Sequence, residues 1–186
     1  MSKVIRLKTP VTSEDLRELE AGDRVLLSGI IYSARDTAHK RLTELIKQGK
    51  PLPLKITGQA FFYMGPSPPP PGRPIGAAGP TTSRRMDAYA PLLLEQGLKV
   101  MIGKGPRSAA VLEAIKKYRA VYLAATGGAG ALLSKTIKKA ELVAFEDLGA
   151  EAIRELTVED FPAIVINDTR GRDLYQENVK TYHVGP

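Results

Sequence analysis

Short apolar runs alternate with amphipathic stretches along most of the chain. Residues 24–32 are rich in Val, Ile and Leu, and such a run predicts a buried strand. In the next stretch, residues 37–47, Leu42 and Ile46 fall on one side of a helix, with Asp36 as its predicted N-cap. The same alternation predicts strands at 60–64, 99–102, 121–125, 142–145 and 163–166, and helices at 12–20, 86–96, 108–119 and about 131–139. Strands separated by helices of these lengths predict an α/β fold with flanking helices and a mixed, partly parallel sheet.

One segment breaks this alternation. Residues 65–80 read GPSPPPPGRPIGAAGP and hold half of the chain's 14 prolines, so they form neither a helix nor a central strand. They are either a semi-rigid linker between domains or an ordered loop that positions whatever follows. At the other end, the residues from about 173 to 186 are polar and are expected to be an appendage.

The composition excludes several kinds of chemistry. The 186 residues include no Cys, which rules out disulfides, a Cys nucleophile and any iron–sulfur or cysteine–zinc site built from this chain alone. The two histidines, His39 and His183, are too few and too far apart to predict a metal site. We find neither an apolar run of membrane-spanning length nor a signal peptide, and we expect a soluble, cytoplasmic protein.

Positive charge is concentrated in the first three quarters of the chain. The formal net charge is +7, but residues 1–140 carry 23 Lys and Arg against 10 Asp and Glu, whereas residues 141–186 carry 4 against 10. A basic body of this kind attracts nucleic acid, an anionic membrane, an acidic protein or small anions. The alternative is that the cations only solvate helix faces, and charge alone does not decide between these interpretations.

Two turns carry side chains suited to bind a small anion. Arg35 lies at the junction between a predicted strand and a predicted helix, where free N–H groups and the helix dipole favour anions. Residues 79–85, GPTTSRR, bring the hydroxyls of Thr81 and Thr82 and the guanidinium of Arg85 to the start of another helix. A simple N-cap is the alternative for these hydroxyls. The combination of a stiff loop, hydroxyls and arginines favours a polyanion with two carboxylates.

Two further turns are rich in glycine. Lys104 lies between Gly103 and Gly105 after a predicted strand, where open α/β sheets bind ligands, although the spacing is not that of a P-loop. Gly127 and Gly128 belong to a turn that is either a candidate anion-binding site or a point of tight packing. The four turns together predict most of an anion-binding pocket at the ends of several strands.

Five motifs, in this order, resemble one known family. They are SARDTAHKRL at 33–42, YMGPSP at 63–68, GPTTSRRMD at 79–87, KVMIGKG at 99–105 and ATGGAGALL at 125–133. The set is similar to the β subunit, or C-terminal domain, of class I iron–sulfur fumarate hydratases and the related L-tartrate dehydratases. The resemblance spans residues 22–172, and GPTT followed by RM is its most specific part.

The resemblance implies a swivelling β/β/α domain over residues 1–186 and a hydro-lyase that adds water reversibly to fumarate to give (S)-malate. In that family a four-iron, four-sulfur cluster is held by three cysteines of the α subunit, which agrees with the absence of cysteine here. Thr81 corresponds to the family's catalytic threonine, proposed as the base. The positions that bind substrate correspond to Arg35, Thr82, Arg85 and Lys104. No metal ligand is expected from this chain.

We therefore expect the β subunit of a heteromeric fumarate hydratase of the tricarboxylic acid cycle. It would work with a cysteine-bearing α subunit in a heterotetramer of two α and two β chains, on a dicarboxylate substrate. The nearest alternative is the β subunit of L(+)-tartrate dehydratase, which converts tartrate to oxaloacetate and water. A non-catalytic basic module that binds nucleic acid is an alternative of a different class, disfavoured by the shortage of aromatic motifs. Neither nucleic acid nor a membrane is an expected partner.

Overall fold

The computed structural model describes residues 3–126 and 128–182. Within these ranges the strands are β1 Val4–Lys8, β2 Arg24–Ser33, β3 Ala60–Phe62, β4 Val100–Gly103, β5 Val121–Ala124, β6 Ile137–Ala144 and β7 Ile153–Asn167. The α-helices are α1 Ser13–Arg17, α2 Asp36–Lys47, α3 Ala90–Glu95, α4 Ala109–Tyr118, α5 Gly130–Thr136 and α6 Leu174–Tyr182, with 3₁₀ helices at Ser83–Met86 and Glu146–Glu151. None of the helices in the described ranges is long and apolar enough to cross a membrane.

The strands form one sheet in the order β1-β2-β3-β4-β5-β7-β6. Strands β1 to β5 pair in parallel, with β1 beside the start of β2 and β3 beside its last two residues. The long strand β7 runs antiparallel to β5 and also to β2, so that β2, β3, β4, β5 and β7 close into a five-stranded barrel. The predicted α/β class, with a mixed, partly parallel sheet and flanking helices, is confirmed.

Two apolar clusters lie on opposite sides of the barrel wall. Alternate residues of the barrel strands, among them Leu27, Phe62 and Ile102, point inward and form one cluster. The residues between them point outward, and Phe61 and Met101 pack there under α2, α3 and α4. Because both faces of the strands are covered, the strand ends that carry the candidate residues are held rigidly.

The proline-rich segment is an ordered loop. Within residues 65–80, the Ser67 hydroxyl accepts a hydrogen bond from the Ala77 N–H at 2.8 Å, and the Ser67 N–H donates to the Ala77 carbonyl at 3.2 Å. The segment before the loop, β3, and the segment after it belong to the same barrel, since Thr82 forms a bridge with Lys104. The loop therefore positions the residues that follow it, which is the second of the two interpretations of this segment.

Predicted boundaries are wrong where pairing between distant strands decides the structure. The helix predicted to end near 139 ends at Thr136, because Ile137 pairs with Val158 and begins β6. Strand β7 is 15 residues long, far more than the predicted 163–166. The polar tail contains α6, and β1 is a strand that the pattern does not predict.

The start of α2 also differs from the prediction. Asp36 is predicted as the N-cap, but Arg35 occupies the N-cap with extended backbone and Asp36 is the first helical residue. The Thr37 N–H donates to the Glu151 carboxylate at 3.0 Å, so a side chain from a distant segment satisfies this free amide. The Asp36 carboxylate instead pairs with arginine side chains, as described below.

Candidate active site

The carboxyl ends of three neighbouring parallel strands carry the candidate residues. Arg35 follows β2 by two residues, and Lys104 follows β4 directly. Between them lies β3, and the carbonyl of Tyr63, just after this strand, accepts a hydrogen bond from the Thr81 N–H at 2.7 Å. Because the three strands are parallel neighbours, their carboxyl ends meet at one edge of the barrel. Groups from distant parts of the sequence are thereby brought to that edge.

Thr81 is half-buried and its hydroxyl has a defined orientation. Its Oγ1–H donates to the Tyr63 carbonyl at 2.8 Å, the same oxygen that accepts the Thr81 N–H. The hydroxyl proton is thus directed into the protein, and the oxygen lone pairs are left to accept a proton or a hydrogen bond. Among the described residues, no carboxylate or imidazole is hydrogen-bonded to this hydroxyl.

Thr82 and Lys104 lie side by side. The two residues form a parallel bridge, and the Ser83 N–H donates to the Lys104 carbonyl at 2.9 Å. Gly103 permits this approach, because a Cβ at that position would overlap the Ser83 hydroxyl. The side chains of Thr82 and Lys104 are exposed, so an ammonium and a hydroxyl face the same solvent-accessible edge.

The guanidiniums of Arg35 and Arg85 share one carboxylate. Arg85 Nε lies 2.7 Å from one Asp36 oxygen, and Arg35 Nε lies 3.7 Å from the other. The Arg35 side chain is mostly buried, whereas the Arg85 side chain is about half exposed. Gly65 leaves room for Arg35, because a Cβ there would come within 2.9 Å of Nη1. Two cations are therefore held together by a single acid.

Glu151 closes the other side of this cluster. Its carboxylate lies 3.4 Å from Arg35 Nη2 and accepts the Thr37 N–H. Partial burial by itself raises the pKa of Glu151. The hydrogen bond from Thr37 and the charges of Arg35 and Arg85 together lower the pKa by more, so it lies below its ordinary value. Glu151 is consequently ionised at neutral pH and orients Arg35.

A buried ion pair, which the sequence does not predict, lies beneath the site. The Arg107 side chain is fully buried, with its Nε 2.7 Å from an Asp87 oxygen. Its guanidinium carbon lies 5.4 Å from the ring centre of Tyr63 and 4.9 Å from that of Tyr122. The other Asp87 oxygen accepts the Ser108 N–H at 2.6 Å. The pair thus joins the segment after Thr82 to the turn after Lys104, and only the folded contact reveals it.

His39 is buried behind Arg35. Its Nδ1–H donates to the Arg35 carbonyl at 2.8 Å, and its ring packs edge-on against Tyr63 and Phe61. Burial, reinforced by the positive charge of Arg107, lowers the pKa of His39 to about 4 despite the hydrogen bond to the Arg35 carbonyl and the charge of Asp36. The imidazole is therefore neutral at physiological pH and acts as a packing group.

The second glycine turn supports the loop that leads to Thr81. A Cβ on Gly130 would lie 3.0 Å from the Gly79 nitrogen, and the Ala78 N–H donates to the Gly130 carbonyl at 3.0 Å. Gly128 has a φ of 80°. Gly127 lies outside the described residues, and anion binding by this turn stays a prediction.

The arrangement as a whole is suited to a small dianion. Arg35, Arg85 and Lys104 supply positive charge at one edge, and Thr81 and Thr82 supply hydroxyls beside them. Within residues 3–126 and 128–182, no group of three His, Cys, Asp or Glu side chains could hold a metal ion. Arginine forks match the planar geometry of carboxylates, whereas lysine acts as a point charge.

Comparison with known proteins identifies relatives over nearly the whole chain. The family described as Fumarase C-terminus matches residues 1–178. Fumarate hydratase 2 of Leishmania major is 38% identical over 179 residues, which cover 94% of this chain and 32% of that protein. The anaerobic class I fumarate hydratase of Escherichia coli is 43% identical over 166 residues, which cover 88% of this chain and 30% of that protein.

A third relative has a similar length to this chain. The putative L(+)-tartrate dehydratase subunit beta of Methanocaldococcus jannaschii is 36% identical over 183 residues, which cover 92% of both chains. The chain thus spans about a third of the fumarate hydratases that it matches and nearly all of this subunit.

Proposed function

Since the chain belongs to the Fumarase C-terminus family, we propose that it is the β subunit of a class I fumarate hydratase, which adds water reversibly to fumarate to give (S)-malate. The observation that carries the proposal is the convergence of Arg35, Arg85 and Lys104 with Thr81 and Thr82 at one edge of the barrel. In this proposal the three cations bind the substrate carboxylates, and Thr82 donates a hydrogen bond beside them.

The proposed reaction uses the positive charge of this edge. Removing a proton from the carbon next to a carboxylate builds negative charge on that carboxylate, and preorganised cations stabilise that charge. Thr81 accepts this proton on its hydroxyl oxygen, whose own proton is already directed toward the Tyr63 carbonyl. As the oxygen takes up this proton, the hydroxyl must give up its own. Because a carbonyl is too weak a base to keep that proton, it leaves the Tyr63 carbonyl for another acceptor. We place the final acceptor on the partner chain.

This chain has no cysteine to bind the iron–sulfur cluster of the proposed enzyme class. The chain contains no cysteine, and its described residues include no cluster of potential metal ligands. The proposal therefore places the cluster on three cysteines of an α subunit, and no step on this chain runs through it. The relative named as a subunit beta, which matches this chain over 92% of both lengths, supports a separate partner of this kind. We further propose a cytoplasmic heterotetramer of two α and two β chains.

A second candidate function is the β subunit of an L(+)-tartrate dehydratase. The relative from Methanocaldococcus jannaschii favours it, because that subunit matches this chain over nearly the full length of both. Tartrate is a dicarboxylate with one more hydroxyl than malate, so the same arginines and lysine would bind it. The described geometry suits both substrates.

Reconstitution separates these functions. The chain is co-expressed anaerobically with the cysteine-bearing α subunit, and the purified complex is assayed on malate, fumarate and tartrate. We expect turnover of malate and fumarate, and no turnover by either chain alone. Turnover of tartrate only would replace the first proposal by the second, and failure of the chains to associate would contradict both.

A further inference from the structure

Asp36 occupies an unusual place for a carboxylate in an anion-binding site. It is the first residue of α2, and its two oxygens face the guanidiniums of Arg35 and Arg85. Only about a quarter of its side chain is exposed, and Oδ2 is buried without a hydrogen-bond partner among the described residues. An acid at this place opposes the binding of an anionic substrate, so its presence calls for a separate role.

The surroundings of Asp36 indicate what it does. Arg35 and Arg85 come from two segments of the chain, the β2–α2 junction and the 3₁₀ helix Ser83–Met86. Two like charges at close range repel, and Arg85, half exposed, has many rotamers open to it without a partner. Asp36 has a short side chain on the first turn of a helix, so it offers both arginines a fixed anchor.

The contacts also leave ligand-binding groups free. Arg85 meets Asp36 through Nε, which leaves both of its terminal nitrogens to face a carboxylate. Arg35 lies between two acids, with Nε 3.7 Å from Asp36 and Nη2 3.4 Å from Glu151, and its Nε has no hydrogen-bond partner among the described residues. Asp36 thus contacts the Nε of the Arg85 guanidinium and leaves Nη1 and Nη2 for a ligand.

We propose that Asp36 is a positioning residue that clamps Arg35 and Arg85 in the orientation that binds one substrate carboxylate. The inference rests on the proposed function, because it assigns the two arginines to the dicarboxylate. Asp36 itself does not touch the substrate. Its contribution is the orientation of the two guanidiniums, which outweighs the repulsion between its own charge and the substrate.

The first measurement examines the clamp without using turnover. In the α–β complex, the rate at which phenylglyoxal modifies each arginine is followed by peptide mass spectrometry. An ion pair restricts the orientations open to a guanidinium, and this slows its reaction with the reagent. Asp36→Asn is therefore expected to raise the modification rates of Arg35 and Arg85 several-fold. The matched control, Asp160→Asn, removes the acid partner of exposed Arg6 and should leave both rates unchanged.

The second measurement is the steady-state kinetics of the same variants. A misplaced pair of arginines binds the substrate less well and also stabilises the charge developing on its carboxylate less well. In Asp36→Asn, KM for malate should therefore rise about tenfold and kcat should fall as well. Asp36→Glu keeps the charge and should recover much of the loss. Asp160→Asn should have the wild-type KM.

Any outcome other than those expected overturns the inference. Unchanged arginine reactivity in Asp36→Asn would mean that no clamp exists. A lower melting temperature with unchanged KM would leave Asp36 a purely structural residue of the helix N-terminus, and a lower KM would mean that its charge only repels substrate. If the Asn variant does not assemble, Asp36→Ser, which also removes the charge, replaces it in both measurements with the same expected and contradicting results. If the wild-type complex turns over none of the three substrates, the proposed function fails, and arginine reactivity alone decides on the clamp.

Discussion

At the scale of single residues, the orientation of the Thr81 hydroxyl determines what it can contribute. Its proton is donated to the Tyr63 carbonyl and its backbone N–H is donated to the same oxygen, so two bonds anchor the residue. A side chain held in this way loses little entropy when it meets a substrate, and its lone pairs are oriented before binding. The anchoring agrees with the proposal that Thr81 accepts the substrate proton and that the final acceptor lies on a partner chain.

The first residue-scale prediction concerns Thr81→Ala. The substitution removes the hydroxyl but leaves the N–H bond to Tyr63, so the complex should assemble normally. We expect kcat for malate dehydration to fall by about 10²–10⁴-fold, the usual range for loss of a general base. Thr181→Ala, which removes an exposed hydroxyl on α6, is the control and should retain full turnover. Near-normal kcat in Thr81→Ala would exclude the residue as the base.

The sequence identifies only some of the residues that build this site. Arg35 and Lys104 are predictable because each lies within a few residues of the end of an apolar run, and the ends of parallel strands meet at one edge. Asp36 is assigned wrongly to an N-cap, because its true partner Arg85 lies 49 positions away in the chain and no local pattern connects them. Arg107 carries no local signal at all, since its importance lies in a buried contact with Asp87.

At the scale of elements, the buried ion pair joins two segments that approach the site from different directions. Asp87 follows the 3₁₀ helix that begins after Thr82, and Arg107 precedes α4. The hydroxyl of Tyr122 adds a second connection, because it lies 2.9 Å from the Ser83 hydroxyl and donates to the Gly105 carbonyl at 2.9 Å. The positions of Thr82 and Lys104 therefore depend on packing beneath them.

The element-scale prediction is that Arg107→Met destabilises the protein strongly. The variant leaves the Asp87 carboxylate buried without its partner, and breaking a buried ion pair typically costs about 3–5 kcal/mol. The free energy of unfolding in urea measures the effect. The partly exposed Arg41, which pairs with the exposed Asp147, provides the control, because Arg41→Met should change stability by less than about 1 kcal/mol.

A double variant separates the ion pair from general packing. Asp87→Asn together with Arg107→Met removes both charges, so its loss of stability should be smaller than the sum of the two single losses. Equal and additive losses would mean that the two side chains act independently, and the connection between the two segments would then have to come from Tyr122.

Elements are predictable from the sequence where burial alone decides. The run at 24–32 becomes β2 almost as predicted, because Val, Ile and Leu must be covered on both faces. By contrast, β6 presents mostly exposed residues, and its strand conformation follows from the pairing with β7. Residues 137–139 have a helix-like local pattern, but hydrogen bonds with the distant strand β7 make them a strand.

At the scale of the whole molecule, barrel closure is the feature that the pattern of the sequence does not contain. Alternating strands and helices predict a partly parallel sheet, and the order β2-β3-β4-β5 agrees with it. Closure requires β7 to pair with β2 and β5 together, and a strand of 15 residues is long enough to do so. The length of β7 is not predictable from its own residues, because it depends on pairing with both β2 and β5.

The last prediction concerns the stability of the whole fold in acid. We expect His39 to make the free energy of unfolding fall as the pH falls. The folded-state pKa of this buried histidine is about 4, below its ordinary value of 6.5, so the unfolded chain binds the proton more readily between these pH values. The stabilisation is complete above pH 6.5 and is lost as the pH falls toward 4, by up to about 3 kcal/mol. Glu151, with its lowered pKa, contributes only as the pH nears and passes below its ordinary 4.5. Urea unfolding from pH 7.5 to 4.5 measures the loss, and His39→Phe, which keeps a ring on Tyr63 but cannot be protonated, should flatten the profile above pH 5. A wild-type profile as flat as that of the variant would contradict a buried neutral imidazole behind Arg35.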